Sequence, residues 1–127
     1  MVRQSHCKNA DAIYREQRIN IAFYNDEGEM IEKIENVKIE GQELTPIDAI
    51  VGKKVPAGVL LNSDDWGFGH FTMDDNTMKV FEEKLGKMQS KIDRAVVIGQ
   101  LITMMRQIQY PATRMPLIMS QLLDETN

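Results

Sequence analysis

Two histidines, His6 and His70, and one cysteine, Cys7, are the only imidazole and thiol side chains in this chain of 127 residues. His6 and Cys7 are adjacent, and two neighbouring ligands cannot easily face one ion; zinc sites show looser spacing. The pattern therefore favours a surface pair and a strand-end histidine. Asp64-Asp65 and Asp74-Asp75 offer oxygen ligands for Ca²⁺, but the twelve-residue loop pattern of that chemistry is absent, and turn and helix-cap roles suffice. Gly67-Phe68-Gly69 is no phosphate loop, since its glycines serve a turn. Neither the serines nor Cys7 has a His/Asp partner pattern nearby, so nucleophilic catalysis has no support. Trp66 beside Gly67 could bind a ligand through its ring, but it is expected to pack on a hairpin or on a neighbouring domain.

These residues sit in a chain long enough for one ordinary domain or two small ones. Hydrophobic residues make up 43% and charged residues 27%, as in soluble globular proteins. The net charge of −4 is spread over mixed signs, which excludes a basic nucleic-acid footprint. No cationic amphipathic stretch suits a membrane surface, and no run reaches spanning length. Arg3, Gln4, Ser5, His6 and Lys8 interrupt any secretory core at the N-terminus. A single cysteine forbids an internal disulfide and fits the cytoplasm or another reducing compartment. Nine methionines read as adaptable core filler.

The hydrophobic period changes near Asp74. Gln17 to Tyr24 alternates, with Ile19, Ile21 and Phe23 on one face and Asn20, Ala22 and Tyr24 on the other, and so reads as a half-buried strand. Asn25-Asp26-Glu27-Gly28 is a turn with Gly28 free to take positive φ. Met30 to Glu40 holds one or two short strands. Ile47 to Val51 and Val59 to Asn62 are apolar segments bounded by Gly52, Pro56 and Gly58, and Phe68 to Met73 is expected to return as the last strand of a glycine hairpin. After Asp74 the period is helical. Asp74 and Asp75 suit a helix N-terminus, and Met78, Phe81, Leu85 and Met88 fall on one face. Ser90 with Asp93 three residues on forms a weak capping box. The helix that follows is apolar on more than one stripe, from Ile92 to Ile108, and must be buried on several sides. Tyr110-Pro111 stops it. A third helix starts near Thr113, with Pro116 in its first turn and an apolar stripe of Met115, Ile118, Met119, Leu122 and Leu123. Burying one large apolar side chain is worth about 1.5–3 kcal/mol, so the second helix should lean on more chain or on a partner.

Several motifs recur in one order. Val2-Arg3-Gln4 is followed by Arg18-Ile19-Asn20-Ile21-Ala22-Phe23-Tyr24-Asn25. Then come Leu61-Asn62-Ser63-Asp64-Asp65-Trp66-Gly67-Phe68-Gly69-His70-Phe71 and Asp74-Asp75-Asn76-Thr77. Last are Arg94-Ala95-Val96-Val97-Ile98 and Leu101-Ile102-Thr103-Met104-Met105-Arg106-Gln107. This series resembles the seam between the β-sandwich and the C-terminal helical domain of the gluzincin zinc aminopeptidases, the aminopeptidase N, puromycin-sensitive and endoplasmic-reticulum type. The resemblance runs over nearly the whole chain. Ile98 and Ile102 replace the family's usual tryptophans, Thr103 and Gln107 replace acids, Asn25 replaces an acid, and His70 replaces a more usual arginine.

The resemblance implies an α+β chain: a small antiparallel β-sandwich over 1–73, then three α-helices over 74–127 that begin a solenoid-like helical domain. Ile21, Phe23, Leu61, Trp66, Phe68, Phe81, Val96, Ile98, Leu101 and Ile102 are its expected packing core. It also implies a parent enzyme that removes N-terminal residues from peptides. That enzyme would use Zn²⁺ held by H-E-x-x-H and a downstream Glu, and a G-x-M-E-N strand for the free amine. None of these motifs occurs in this chain, so it carries no catalytic, cofactor or metal residue and should be inactive alone. Arg94 and Arg106 are the positions where polar groups could line a peptide chamber, against the plainer role of ion pairing or helix-end solvation. The expected partner is an upstream catalytic domain of the same parent chain. Met1 and the lost tryptophans admit a second arrangement: a free-standing structural or interaction subunit of a larger assembly, derived from that family and without activity. A β-sandwich adaptor unrelated to peptidases is a third.

Overall fold

The computed structural model describes residues 1–4 and 14–122. His6 and Cys7 lie outside them, as does Leu123. The architecture is α+β. Strands β1 (Val2–Arg3), β2 (Gln17–Tyr24), β3 (Met30–Ile39), β4 (Leu44–Thr45) and β5 (Gly58–Ser63) precede helices α1 (Asp75–Lys84), α2 (Lys91–Arg106) and α3 (Met115–Ser120). β1 pairs with β4, and the larger sheet has the order β3-β2-β5, all antiparallel.

β2 is the central strand and is apolar on both faces. It was expected to be half-buried, yet Ile19 through Tyr24 are all buried. Ala22 and Tyr24 join Leu60 of β5 and Phe81, Val97 and Leu101 of the helices in one core. Ile19, Ile21 and Phe23 meet Ile39, Ile47, Ile50 and Val2 on the other side. The helix core thus runs across position 74 into the sheet. Segment 47–51, read as apolar chain between glycine and proline breaks, contains a 3-10 turn at Asp48–Ile50.

The turn after β2 forms as its residues require. Asn25 Oδ1 accepts from the amides of Glu27 and Glu29 at 3.0 and 2.9 Å, and Gly28 takes φ +79°. A Cβ on Gly28 would stand 2.7 Å from Lys84 Cβ, so the turn also depends on close backbone approach to the end of α1.

The expected strand at Phe68–Met73 does not form. Asn62, Asp64 and Asp65 all adopt left-handed φ, between 60° and 64°, a conformation that Asn and Asp tolerate and that ends a strand. Asn62 Oδ1 then accepts from Gly67 N at 2.6 Å, and Gln17 Oε1 accepts from Phe68 N at 3.0 Å. The chain is pulled back over the start of β2, where a Cβ on Gly67 would lie 2.5 Å from Ile19 Cγ2. Trp66 and Phe68, expected in the core, are 77% and 90% exposed. With the backbone held inward at Gly67, the side chains on either side of it face outward.

Candidate functional site

The densest polar cluster lies where β2, β5 and the first turn of α2 meet. Its position follows from two irregularities of the sheet. The pairing of β2 shifts beside Asn20 on both sides, and the facing residues Asn36 and Asn62 have left-handed φ. Bulges of this kind re-aim side chains. Asn20 Oδ1 accepts from Asn36 N at 2.9 Å, and Asn20 Nδ2 donates to Asp64 Oδ2 at 2.9 Å. The same Asp64 oxygen accepts from Lys33 Nζ at 2.7 Å.

Behind Asp64 stands Asp93, with 0% of its surface exposed. Ser90 is the N-cap of α2 and its Oγ accepts from Asp93 N at 3.1 Å. The Asp93 side chain does not turn back on the cap. It accepts from Tyr24 Oη at 2.7 Å, from Ser63 Oγ at 2.9 Å and from Asp64 N at 3.0 Å. A negative group in the first turn also suits the helix dipole.

Burial pushes the Tyr24 hydroxyl well above the ordinary tyrosine range, and its hydrogen bond to Asp93 adds to this. Tyr24 therefore stays protonated and donates. Ser63 Oγ donates to the Asp93 carboxylate, which also accepts from the Tyr24 hydroxyl and the Asp64 amide. The cluster acts as a strut that fixes the start of α2 to the sheet.

The hydrogen bond from Lys33 holds the Asp64 carboxyl below its usual 3.8, with Asn20 helping and partial burial opposing. The Lys33 ammonium is raised by the same contact. A carboxyl depressed in the folded state contributes stability that is complete above about pH 4 and is lost as pH falls through the folded value. Asp64→Asn should thus lower the urea midpoint at pH 7, a stability loss of less than about 1 kcal/mol for a pair whose side chains are about a quarter exposed. At pH 2 the variant and the parent should converge. A gap that stays constant from pH 7 to pH 2 would show that the pair contributes nothing through its charge.

Two clefts open outside this cluster. One, of about 510 Å³, is lined by Ile21, Phe23, Ile47, Val59 and Leu61, with Lys53 and Lys54 among the polar residues. The other, of about 460 Å³, runs between α2 and the segment Gly69-His70-Phe71.

Of the remaining expected core residues, Ile21, Phe23, Phe81 and Leu101 are buried, and Leu61, Val96, Ile98 and Ile102 are half-buried. Arg94 is buried and its guanidinium donates to the Met88 carbonyl. Arg106 is exposed in the last turn of α2, about 18 Å further along the axis. The two arginines share no site. Asp74 caps α1 by accepting from Thr77 N at 2.7 Å. Among the described residues, no group of three His, Cys, Asp or Glu side chains could hold a metal ion. No described helix is long and apolar enough to cross a membrane.

Sequence reasoning missed the Tyr24–Ser63–Asp93 cluster. Its one legible signal was the Ser90-x-x-Asp93 spacing, which reads as a cap and says nothing of Tyr24, 69 residues away.

No protein-family model matches the chain. Over 102 residues it is 31% identical to an aminopeptidase N of Streptomyces lividans. The matched stretch is 79% of this chain and 12% of that relative.

Proposed function

We propose that this chain is a non-catalytic segment of a zinc-dependent aminopeptidase of the gluzincin type. It joins a β domain, residues 1–73, to the first helices of a helical domain, residues 74–127, and has a structural role around the peptide chamber. The observation that carries this reading is the shape of the sequence match, which takes up 79% of this chain but 12% of the relative. A similarity of that form suits a part of a much larger enzyme. The partner is then the catalytic domain upstream in the same polypeptide, which would supply the metal and the general base.

The strut described above supports this role. A segment that links sheet to helices must hold their angle, and a buried, satisfied polar cluster specifies one arrangement. Arg106, exposed at the end of α2, is the arginine that could face a peptide chamber. Arg94 instead braces the turn before α2.

The isolated chain with added Zn²⁺ is expected to leave a chromogenic amino-acid amide uncleaved. Turnover that survives a rigorously cleaned preparation would sink the reading. The decisive measurement is the intact mass of the native polypeptide that contains residues 60–74. A species several times heavier than 14.5 kDa supports a segment, and one near that mass supports a free-standing subunit.

A further inference from the structure

α2 is apolar on most of its circumference, but the described residues cover only one side of it. Val97, Leu101 and Met104 enter the core shared with the sheet. On the other side Ala95 and Gly99 are exposed, and Ile92 is 55% exposed. These residues form one wall of the groove of about 460 Å³ whose other side includes Gly69, His70 and Phe71. Ala95, Gly99 and Thr103 recur every fourth residue and form a low stripe about 12 Å long, flanked on the same wall by Ile92 and Val96. A Cβ on Gly99 would meet nothing within 4 Å.

A second observation in the same groove points to a ligand. Gln100 lines it and is only 7% exposed. Its Nε2 donates to the Leu61 carbonyl at 2.9 Å, whereas its Oε1 is buried with no hydrogen-bond partner among the described residues. Such an orphaned oxygen is rare in a folded protein. It calls for a donor that the described chain does not supply.

The kind of occupant follows from what the groove can satisfy. An extended segment would bring a row of unpaired N–H and C=O groups against a wall with one unfilled acceptor. A helix satisfies its own backbone and needs only one donor side chain. Small residues spaced four apart let two helix axes come close.

We propose that this groove seats one α-helix from the remainder of a longer polypeptide. The helix lies along α2 over Ala95 and Gly99 and gives one side-chain hydrogen bond to Gln100 Oε1. The proposal rests on the reading of this chain as a segment, and a match to 12% of the relative leaves ample chain to supply the helix.

The test places Ala95→Cys in the 127-residue chain and in the native-length polypeptide. Both are pulse-labelled with iodoacetamide, and the peptide bearing position 95 is read by mass spectrometry. The short chain should label as an open thiol. The native-length polypeptide should label about 100-fold more slowly, as expected for a site reached only by opening, and should recover full reactivity in urea. Gly99→Trp provides an independent readout: it should leave the melting temperature of the short chain nearly unchanged and lower that of the native-length polypeptide. Equal labelling in the two, or a Gly99→Trp polypeptide as stable as its parent, would overturn the helix while leaving the segment reading intact. Concentration-dependent protection in the short chain would overturn it in favour of a second copy. A native mass near 14.5 kDa would remove both the segment reading and this occupant.

Discussion

Asp93→Ala is expected to destabilise the chain by about 3–5 kcal/mol at neutral pH. The side chain is fully buried and accepts from the Tyr24 hydroxyl, the Ser63 hydroxyl and the Asp64 amide. Truncation removes the acceptor and leaves these donors in an apolar setting. Each orphaned donor costs about 1–3 kcal/mol, and breaking a buried charged network costs about 3–5 kcal/mol in total. Domains of this size have about 5–15 kcal/mol to lose, so the loss takes a large share of the total. Urea denaturation followed by circular dichroism would read it. Tyr24→Phe is the matched control, since it removes one donor together with its need for an acceptor and should cost only about 1 kcal/mol. An Asp93→Ala chain with the parent's midpoint would mean that water reaches these donors and that the strut bears no strain. The functional consequence is geometric: without Asp93 the start of α2 has lost its side-chain anchor to the sheet.

Phe81→Ala should destabilise the chain by about 3–5 kcal/mol, the usual range for emptying a buried aromatic site. Phe81 is 0% exposed. Its ring meets Tyr24 edge to face, with centroids 5.3 Å apart and planes at 79°, a contact worth about 0.5–1.5 kcal/mol beyond area burial. It is the point where α1 grips the central strand, and Val97 and Leu101 belong to the same core. Collapse of α2 into the vacated space would reduce the cost. Heat denaturation of the variant gives the answer, and a loss under about 1 kcal/mol would show that the core repacks freely. Because Phe81 and Asp93 both act on Tyr24, the two substitutions should not add, and a double-mutant cycle would measure their coupling.

Much of the fold was legible in the sequence because it is local. The alternation of Gln17 to Tyr24 marks a strand, and the spacing of Phe81, Leu85 and Met88 marks a helical face. That face persists although α1 ends at Lys84 and a 3-10 turn at Leu85–Lys87 follows. Asp74 and Ser90 were readable as caps because each bonds an amide only three residues away. The hairpin at Gly67 was misread because its glycines looked like turn residues between two strands. The deciding contacts were the Gln17 side chain on Phe68, 51 residues apart, and the methyl of Ile19 beneath Gly67.

The sequence by itself determined the periods, the caps, the change from strand to helix near Asp74 and the apolar excess of α2. It also showed that α2 needs more cover than a few short elements can provide. Only the tertiary structure decided which side of α2 stays open, that Trp66 and Phe68 face outward, and that Asp93 reaches Tyr24 across the fold. The physical reason is range. Periodicity and capping are set by neighbours within one turn or one pleat. Burial, by contrast, depends on which distant surfaces meet, and an acid such as Asp93 takes its role from whichever donors the packed sheet delivers to it.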